Sequence, residues 1–405
     1  MLKSYKYRLY PTNSQSELLN KHFGSVRFVY NWALDKKIKA YQNDKQRLTK
    51  FDLDKQLTEL KKNEDFIWLK EVNSQSLQAS NRHLDIAFTN FFRKQNSFPK
   101  FKSKHNNYHS FEIPQSIILK DNELIIPKFK EGIEVIIDRS HNGEIRQATI
   151  SKTPTGKYFV SILCETNEEN KPKYDISEET TIGIDLGIKD FIITSNGVKY
   201  KNHNFLNKSL KKLKREQKKL SRKVKGSNNR NKQRIKVAKV YEKISNQRID
   251  NIHKISSKLV SENQTICIED LNIKGMVKNH KLAKSISDVS WGVFLNILQY
   301  KSEWNGVNIL KIGRFDPSSK MCNCGVINNN LTLNDRVWTC NSCGTTHDRD
   351  ILAANNIKRF ALNALRLDQP EVTPTESKSL DPQRSRKLKL KNKWIISNNV
   401  GDNLM

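Results

Sequence analysis

Thr-Thr-Ile-Gly-Ile-Asp-Leu-Gly (180–187) alternates side chains with the period of a strand and carries an acid between two glycines. In such a strand Ile182 and Ile184 point to one face, while Gly183, Asp185 and Gly187 point to the other. The two glycines are expected to leave space beside Asp185 for a metal ion and a phosphate. A second strand-like run, Thr-Ile-Cys-Ile-Glu-Asp (265–270), sets Glu269 near its carboxyl end, and ligands of open α/β sheets gather at such ends. Parallel pairing of the two strands would bring Glu269 to Asp185. A helix-like run opening at Asp350, Asp-Ile-Leu-Ala-Ala-Asn-Asn-Ile, would add a third carboxylate, with Asp348 as the cap of that helix. Each acid taken alone reads more readily as a surface ion pair or a helix cap than as a metal ligand. Together they match phosphodiester hydrolysis with two Mg²⁺ ions about 3.5–4 Å apart, held by a few hard oxygen ligands.

The rest of the chain is strongly basic. With 72 Lys+Arg against 42 Asp+Glu in 405 residues, its net charge is +30, which points to a polyanionic partner. A membrane surface is the weaker option. No apolar run approaches the roughly 18 residues of a spanning helix, and Met-Leu-Lys-Ser-Tyr-Lys-Tyr-Arg lacks the apolar core of a signal peptide. The expected location is cytoplasmic and nucleoid-associated.

Residues 206–248 hold 17 Lys/Arg and 2 Glu, half of the chain's net charge in about a tenth of its length. The run 211–223 reads as a basic helix with a narrow apolar stripe, broken into a hairpin by Gly-Ser-Asn-Asn-Arg-Asn (226–231). A charge run is usually a solvated face, but like charges this dense call for a polyanion to neutralise them. The expected nucleic-acid contacts here are Lys211, Lys212, Arg215, Lys218, Lys219, Arg222, Lys223, Lys225, Arg230 and Arg234.

Four of the six cysteines crowd into Cys322-Asn-Cys324-Gly and Cys340-Asn-Ser-Cys343-Gly. Two such turns are a tetrahedral zinc signature, and a closed four-thiolate site supports folding without performing chemistry. The first turn has a one-residue spacer where two is usual. Cys164 and Cys267 lie inside apolar runs and read as small buried hydrophobes.

Organisation follows from periodicity. A strand (2–10) precedes helices at about 14–41, 51–62 and 74–93. The last carries Gln75, Gln78 and Arg82 on one face, suited either to base edges or to an ordinary polar surface. Short alternating segments at about 109–166 predict an antiparallel sheet or barrel to which strand 2–10 returns. After a polar linker come strands at 181–186 and 190–195, the basic helices, the strand 265–270, a helix (290–304), a strand (307–313), the cysteine hairpin and a helix (350–365). Beyond about 366 the chain is Pro/Ser/Thr-rich, then basic and polar, and reads as disordered.

The order of motifs resembles the TnpB/OrfB family of insertion-sequence proteins, relatives of the type V CRISPR effectors, over about residues 1–375. The resemblance rests on Tyr-Arg-Leu-Tyr-Pro (7–11), Val-Arg-Phe-Val-Tyr-Asn-Trp (26–32) and Phe-Pro-Lys-Phe-Lys-Ser-Lys (98–104). It continues through Gly-Ile-Asp-Leu-Gly-Ile-Lys-Asp-Phe (183–191), Ile-Glu-Asp-Leu-Asn-Ile-Lys-Gly-Met (268–276) and Asp-Val-Ser-Trp (288–291). Pro-Ser-Ser-Lys (317–320) precedes the cysteines and His-Asp-Arg-Asp (347–350) follows them. It implies a multidomain α+β and α/β chain: a wedge-like β-barrel (1–12 and 106–175) with an inserted helical recognition domain (13–105). A RuvC-like nuclease domain of RNase H fold (176–316 and 346–366) would hold a zinc-ribbon insert (317–345), leaving a disordered tail (367–405). Asp185, Glu269 and Asp350 would be its catalytic Mg²⁺ ligands, and Cys322, Cys324, Cys340 and Cys343 would hold structural Zn²⁺. Family members often carry Asn two positions after the last acid, where this chain has Leu352.

The function so implied is an RNA-guided, Mg²⁺-dependent DNA endonuclease of a bacterial insertion sequence. Its guide RNA would derive from its own element, its target would be double-stranded DNA beside a short element-specific motif, and a monomer is favoured. The alternative is a catalytically silent regulator or accessory of transposition, which an intact set of acids disfavours. A strand-transfer transposase ranks last, because no Tyr motif with a paired-His metal site is present.

Overall fold

The computed structural model describes residues 1–105, 108–280, 282–332 and 335–367. The expected disordered tail lies outside the described residues, apart from Leu367. β1 (Leu2–Tyr10) alternates as its sequence predicts, burying Tyr7 and Leu9. Its sheet partners come more than a hundred residues later. Between them lie α1 (Asn13–Asp44), α2 (Lys50–Leu60), a 3-10 helix (Glu64–Glu71) that periodicity did not reveal, and α3 (Ser74–Phe92). Thr12 and Gln15 form a capping box that starts α1.

β2 (His109–Ile113), β3 (Ile118–Lys120), β4 (Glu123–Ile125), β5 (Ile133–Ile136), β6 (Glu144–Lys152) and β7 (Tyr158–Glu165) follow. With β1 they form one antiparallel sheet in the order β2-β6-β7-β1-β5-β4-β3, so the first strand does return to the later ones. The expected barrel is not closed. Among the described residues no ladder joins the edge strands β2 and β3, and β3, three residues long, offers little to pair with. A helix supplies the cover that closure would have given. Leu19, Phe23, Val26 and Val29 of α1 share one core with Tyr7, Leu9, Ile150, Val160 and Ile162 of the sheet.

The second sheet is mixed. β8 (Thr181–Leu186), β9 (Asp190–Thr194) and β10 (Lys199–Lys201) form an antiparallel meander. The basic helices α4 (Phe205–Ser221) and α5 (Asn228–Glu262) lead to β11 (Thr265–Glu269), which pairs in parallel with β8. After α6 (Ile273–Met276), α7 (Ala283–Val289) and α8 (Trp291–Asn305), β12 (Asn308–Ile312) adds in parallel to β11. The short pair β13 (Val337–Thr339) and β14 (Thr346–Asp348) carries the chain into α9 (Arg349–Leu367). The hairpin break falls at 222–227, not at 226–231. The Ser227 hydroxyl accepts from Arg230 N at 3.2 Å and starts α5 at Asn228.

Alternation decides which layer covers which face. Ile182, Ile184, Ile266 and Ile268 pack against Ile252, Ile255 and Leu259 of α5 and Phe294 and Leu298 of α8. Cys267 faces the other way, into a cluster with Ile357 and Ala361 of α9. Gly183 shares that second face, and its role differs from the one expected. A Cβ there would stand 2.1 Å from the Ala354 carbonyl oxygen and 2.9 Å from Lys358 N, so its space is filled by the backbone of α9 and not by a ligand. A Cβ on Gly187 would lie 2.6 Å from the Asp190 carbonyl oxygen, which assigns that glycine to the β8–β9 turn. Gly183→Ala must push α9 off the sheet, so unfolding in denaturant should show a loss of about 1–3 kcal/mol, the usual cost of overpacking. An unchanged midpoint would mean that α9 does not need this close approach.

Candidate active site

β8 and β11 run in parallel with Cys267 opposite Gly183, so two residues further on Asp185 and Glu269 leave adjacent strands at the same edge. Both belong to the α9-facing side of the sheet. Asp350, Ala354 and Lys358 are spaced at four residues and share one side of α9, and Ala354 and Lys358 meet Gly183. The first turn of α9 therefore lies toward Asp185. Burial pushes the Asp185 carboxyl up to about 7, and the charges of Glu269 and Asp350 act in the same direction. The Leu186 amide and Arg349 oppose them. Glu269 and Asp350 are thus both brought within electrostatic reach of Asp185. Among the described residues only the four cysteines gather their ligand atoms within 4.8 Å, so the acids stand wider apart than one ion's ligand shell.

Neighbours that sequence reasoning missed hold two of these acids. Ser318 Oγ donates to Glu269 Oε1 at 2.5 Å. Ser318 is itself fixed by Asn356, whose buried amide donates to the Ser318 and Met321 carbonyls at 2.7 Å each. Arg336 Nη1 reaches both oxygens of Asp350 at 3.1 Å. Asp348 caps α9 as expected, accepting from Asp350 N at 3.0 Å and Ile351 N at 3.2 Å, and it pairs with Lys199 at 2.6 Å. Leu352 is buried against Cys322, Trp338 and Cys340, so it packs the hairpin onto the helix.

The cysteine sulfurs lie 3.5 Å apart for Cys322 and Cys343 and 3.7 Å apart for Cys324 and Cys340. These separations fit a tetrahedron with Zn–S bonds of about 2.3 Å, whose edge is about 3.8 Å. The short first turn still closes, because Gly325 adopts φ +89° and donates to the Cys322 carbonyl at 3.0 Å. His347 is a further neighbour. Its Nε2 is 3.1 Å from Cys322 Sγ, and its ring lies 5.1 Å from that of Trp338, its partner across β13–β14.

On the basic hairpin, Lys211, Lys212, Lys218, Lys219, Arg222, Lys223, Lys225 and Arg234 are exposed. Arg215 is exposed and also pairs with Glu216 at 3.3 Å. Arg230 is committed to the fold: its Nη1 donates to the Leu220 and Lys223 carbonyls at 2.8 and 3.0 Å, fastening the end of α4. On α3, Gln78 is exposed and Gln75 half-buried. Arg82 pairs with the buried Glu112 of β2, which also contacts His83 Nε2 at 2.8 Å, so part of the Arg82 guanidinium is spent on packing α3 to the sheet. Among the described residues no helix is long and apolar enough to cross a membrane.

Two outcomes are expected from this geometry. Ionising Asp185 in the metal-free protein costs stability, and because its folded pKa lies above the ordinary value of 3.8, that cost grows as pH rises from about 4 to about 7. Metal-free Asp185→Asn should therefore melt with wild type near pH 4 and above it at pH 8; equal melting at both would show that Asp185 carries no such strain. For the cysteine centre, His347→Phe keeps a ring on Trp338 but loses the contact to Cys322. In protein loaded with zinc, transfer of the metal to a chelator should then speed up several-fold, and an unchanged rate would make His347 a packing residue only.

Family models match three parts of the chain: an OrfB/IS605 model described as a probable transposase (161–280), a helix-turn-helix domain (1–46) and a Cas12f1-like TNB domain (291–357). A Streptomyces pristinaespiralis protein named "Putative RNA-guided DNA endonuclease" is 39% identical over 89% of this chain and 90% of its own length. Escherichia coli (strain K12) InsQ, which bears the same description, is 30% identical over 88% of this chain and 91% of its own. Among solved structures, a Cas12f1–sgRNA–target DNA complex aligns with TM-score 0.55 and 14% identity over 86% of this chain and 83% of that one, a likeness of fold. The chain belongs to the TnpB/OrfB family of insertion-sequence proteins.

Proposed function

We propose that this protein is an RNA-guided, metal-dependent DNA endonuclease. The observation that carries the reading is the meeting of Asp185, Glu269 and the first turn of α9 at one sheet edge, in a protein of net charge +30. The names of its relatives agree with it. Basic surface holds a polyanion, and a small acidic cluster supplies what basic surface cannot, a seat for cations.

In this reading residues 176–316 and 346–366 form a RuvC-like domain of RNase H fold, and 317–345 a zinc ribbon. Residues 1–12 and 106–175 form the wedge around a recognition insert at 13–105. Asp185, Glu269 and Asp350 would hold Mg²⁺. Bound as a pair, such ions supply an activated water and stabilise the leaving oxygen. The chain's own residues orient the carboxylates: Ser318, anchored by Asn356, holds Glu269, and Arg336 holds both oxygens of Asp350. To hold a metal ion, Asp350 would have to release Arg336. Cys322, Cys324, Cys340 and Cys343 would hold a structural Zn²⁺ that fixes the hairpin from which Arg336 projects.

The partners in this account are a guide RNA from the protein's own element and double-stranded target DNA. Sequence is read mainly by base pairing, and the heteroduplex is held through its shape and phosphates. The exposed lysines of α4 and α5 offer phosphate contacts, and Gln75 and Gln78 are the groups of α3 for reading bases beside the target.

The test is to purify the protein with its RNA, sequence that RNA and present a matching duplex with Mg²⁺. Asp185→Ala should cut at least about a thousand-fold more slowly while still retaining the matched duplex, since most of the barrier reduction in such hydrolysis comes through the metal site. In the same assay with randomised flanks, Gln78→Ala should alter the preferred motif. Undiminished Mg²⁺-dependent cutting by Asp185→Ala would defeat the nuclease assignment. Guided binding without cutting by wild type would favour the regulator.

A further inference from the structure

Phe-Pro-Lys-Phe-Lys-Ser-Lys (98–104) takes no part in either metal centre, yet it is held in place. Asn31 of α1 donates from Nδ2 to the Lys102 carbonyl at 2.9 Å and accepts at Oδ1 from Lys102 N at 2.7 Å. Pro99 is buried, while Phe98, Lys100, Phe101 and Lys104 are exposed. The segment joins no sheet, so this pinning presents it as a strap along the surface. Between 93 and 105 there are five Lys/Arg and no Asp or Glu, a local charge that nothing within the segment offsets.

The aromatics divide into two groups. Phe98 meets Phe88 and Phe91 edge-on at 5.5 and 5.3 Å, which is packing. Phe101 is 56% exposed and makes no ring contact among the described residues; Phe92, at the end of α3, is 74% exposed even though its ring lies 6.3 Å from that of Phe88 and 5.3 Å from that of Phe91. Lys100 and Lys104 make no ion pair among the described residues. Exposed aromatic faces among unpaired lysines suit a partner with flat apolar faces and regularly spaced negative charge.

We propose that residues 92–105 form a binding face for an unpaired DNA strand, with Phe101 and Phe92 stacking on bases and Lys100 and Lys104 neutralising phosphates. A duplex hides its base faces, so an unpaired strand is required. DNA is favoured over RNA on the function proposed above, on which this inference rests. A strand displaced by the guide differs at every target, and stacking tolerates any base, whereas an RNA of fixed sequence would be read at its base edges. Position agrees. Gln78 and Phe92 lie on one helix about 21 Å apart, at about 1.5 Å per residue, so a strand separating from a duplex at the first reaches the second.

The experiment uses the full-length protein in two arms. In the first, fluorescent oligo-dT and oligo-rU are titrated against wild type, Phe101→Ala, Phe101→Tyr and Lys100→Ala/Lys104→Ala, with thermal melting as the control for folding. Phe101→Ala should weaken oligo-dT binding about 5- to 20-fold at unchanged melting temperature, the double lysine variant should lower the salt dependence, and Phe101→Tyr should restore affinity. In the second, a target duplex carrying 5-iodouracil in the displaced strand is bound by the RNA-loaded protein and irradiated, and cross-links should map to 92–105. Unchanged oligo-dT affinity in Phe101→Ala overturns the proposal. So does an equal or larger loss for oligo-rU together with no cross-link in the displaced strand, which would assign the strap to RNA. Absence of any RNA-dependent target binding by wild type would instead defeat the function proposed above, and the oligo-dT arm would still decide the strap.

Discussion

The backbone of α9 lies against β8 at Gly183, where a side chain's first carbon would stand 2.1 Å from the Ala354 carbonyl oxygen. The rest of the candidate site depends on this approach. A strand can deliver Asp185 to a sheet edge and a parallel neighbour can deliver Glu269 beside it, but the third acid sits on a helix and must be carried there. Missing volume at Gly183 sets the helix-to-strand distance. The four-residue repeat Asp350, Ala354, Lys358 then fixes which side of α9 looks at the strand. The sheet's opposite face is closed by α5 and α8, so the acids open on one side only.

Gathering carboxylates in this way opposes their electrostatics. Burial and two like charges drive Asp185 toward its neutral form, and the surrounding residues hold the cluster together without cancelling it. Ser318 gives Glu269 a hydrogen bond, and Arg336 gives Asp350 a counter-charge that a metal can replace. Both come from the segment containing the cysteines, so the cysteine cluster and the acids are parts of one construction. Asn356 and Leu352 of α9 clamp that segment from behind. Elsewhere the charge runs the other way, and the exposed lysines of α4 and α5 are available to a polyanion.

Much of this was legible in the sequence because it rests on local periodicity. The alternation around 180–187 gave the strand, its two faces and the hairpin to β9; the parallel pairing with β11 that brings Glu269 beside Asp185 was a condition in the sequence and is observed in the fold. Asp348 was recognisable as a cap from its position before an apolar-periodic run. What escaped reading depends on tertiary packing. Gly183 looked like space for a ligand because sequence cannot say what fills a gap. Arg82 and Arg230 looked like nucleic-acid contacts because a buried Glu112 and the Leu220 and Lys223 carbonyls at the end of α4 become their partners only in the fold. The open first sheet looked like a barrel because strand periodicity is the same in both, and the covering by α1 is a long-range contact. Ser318 and Arg336 lie 49 and 14 residues from the acids they hold, and polar residues in loops carry no periodic signal.

The central claim is that Asp185, Glu269 and Asp350 form a seat for divalent cations. The most direct measurement is anomalous scattering from Mn²⁺ soaked into crystals of the RNA-bound protein with target DNA. The account predicts manganese at this edge, coordinated by Asp185 and by at least one of Glu269 and Asp350, with Arg336 released from Asp350. Crystals with ordered carboxylates, no manganese between them and the Arg336–Asp350 pair intact at saturating Mn²⁺ would contradict it.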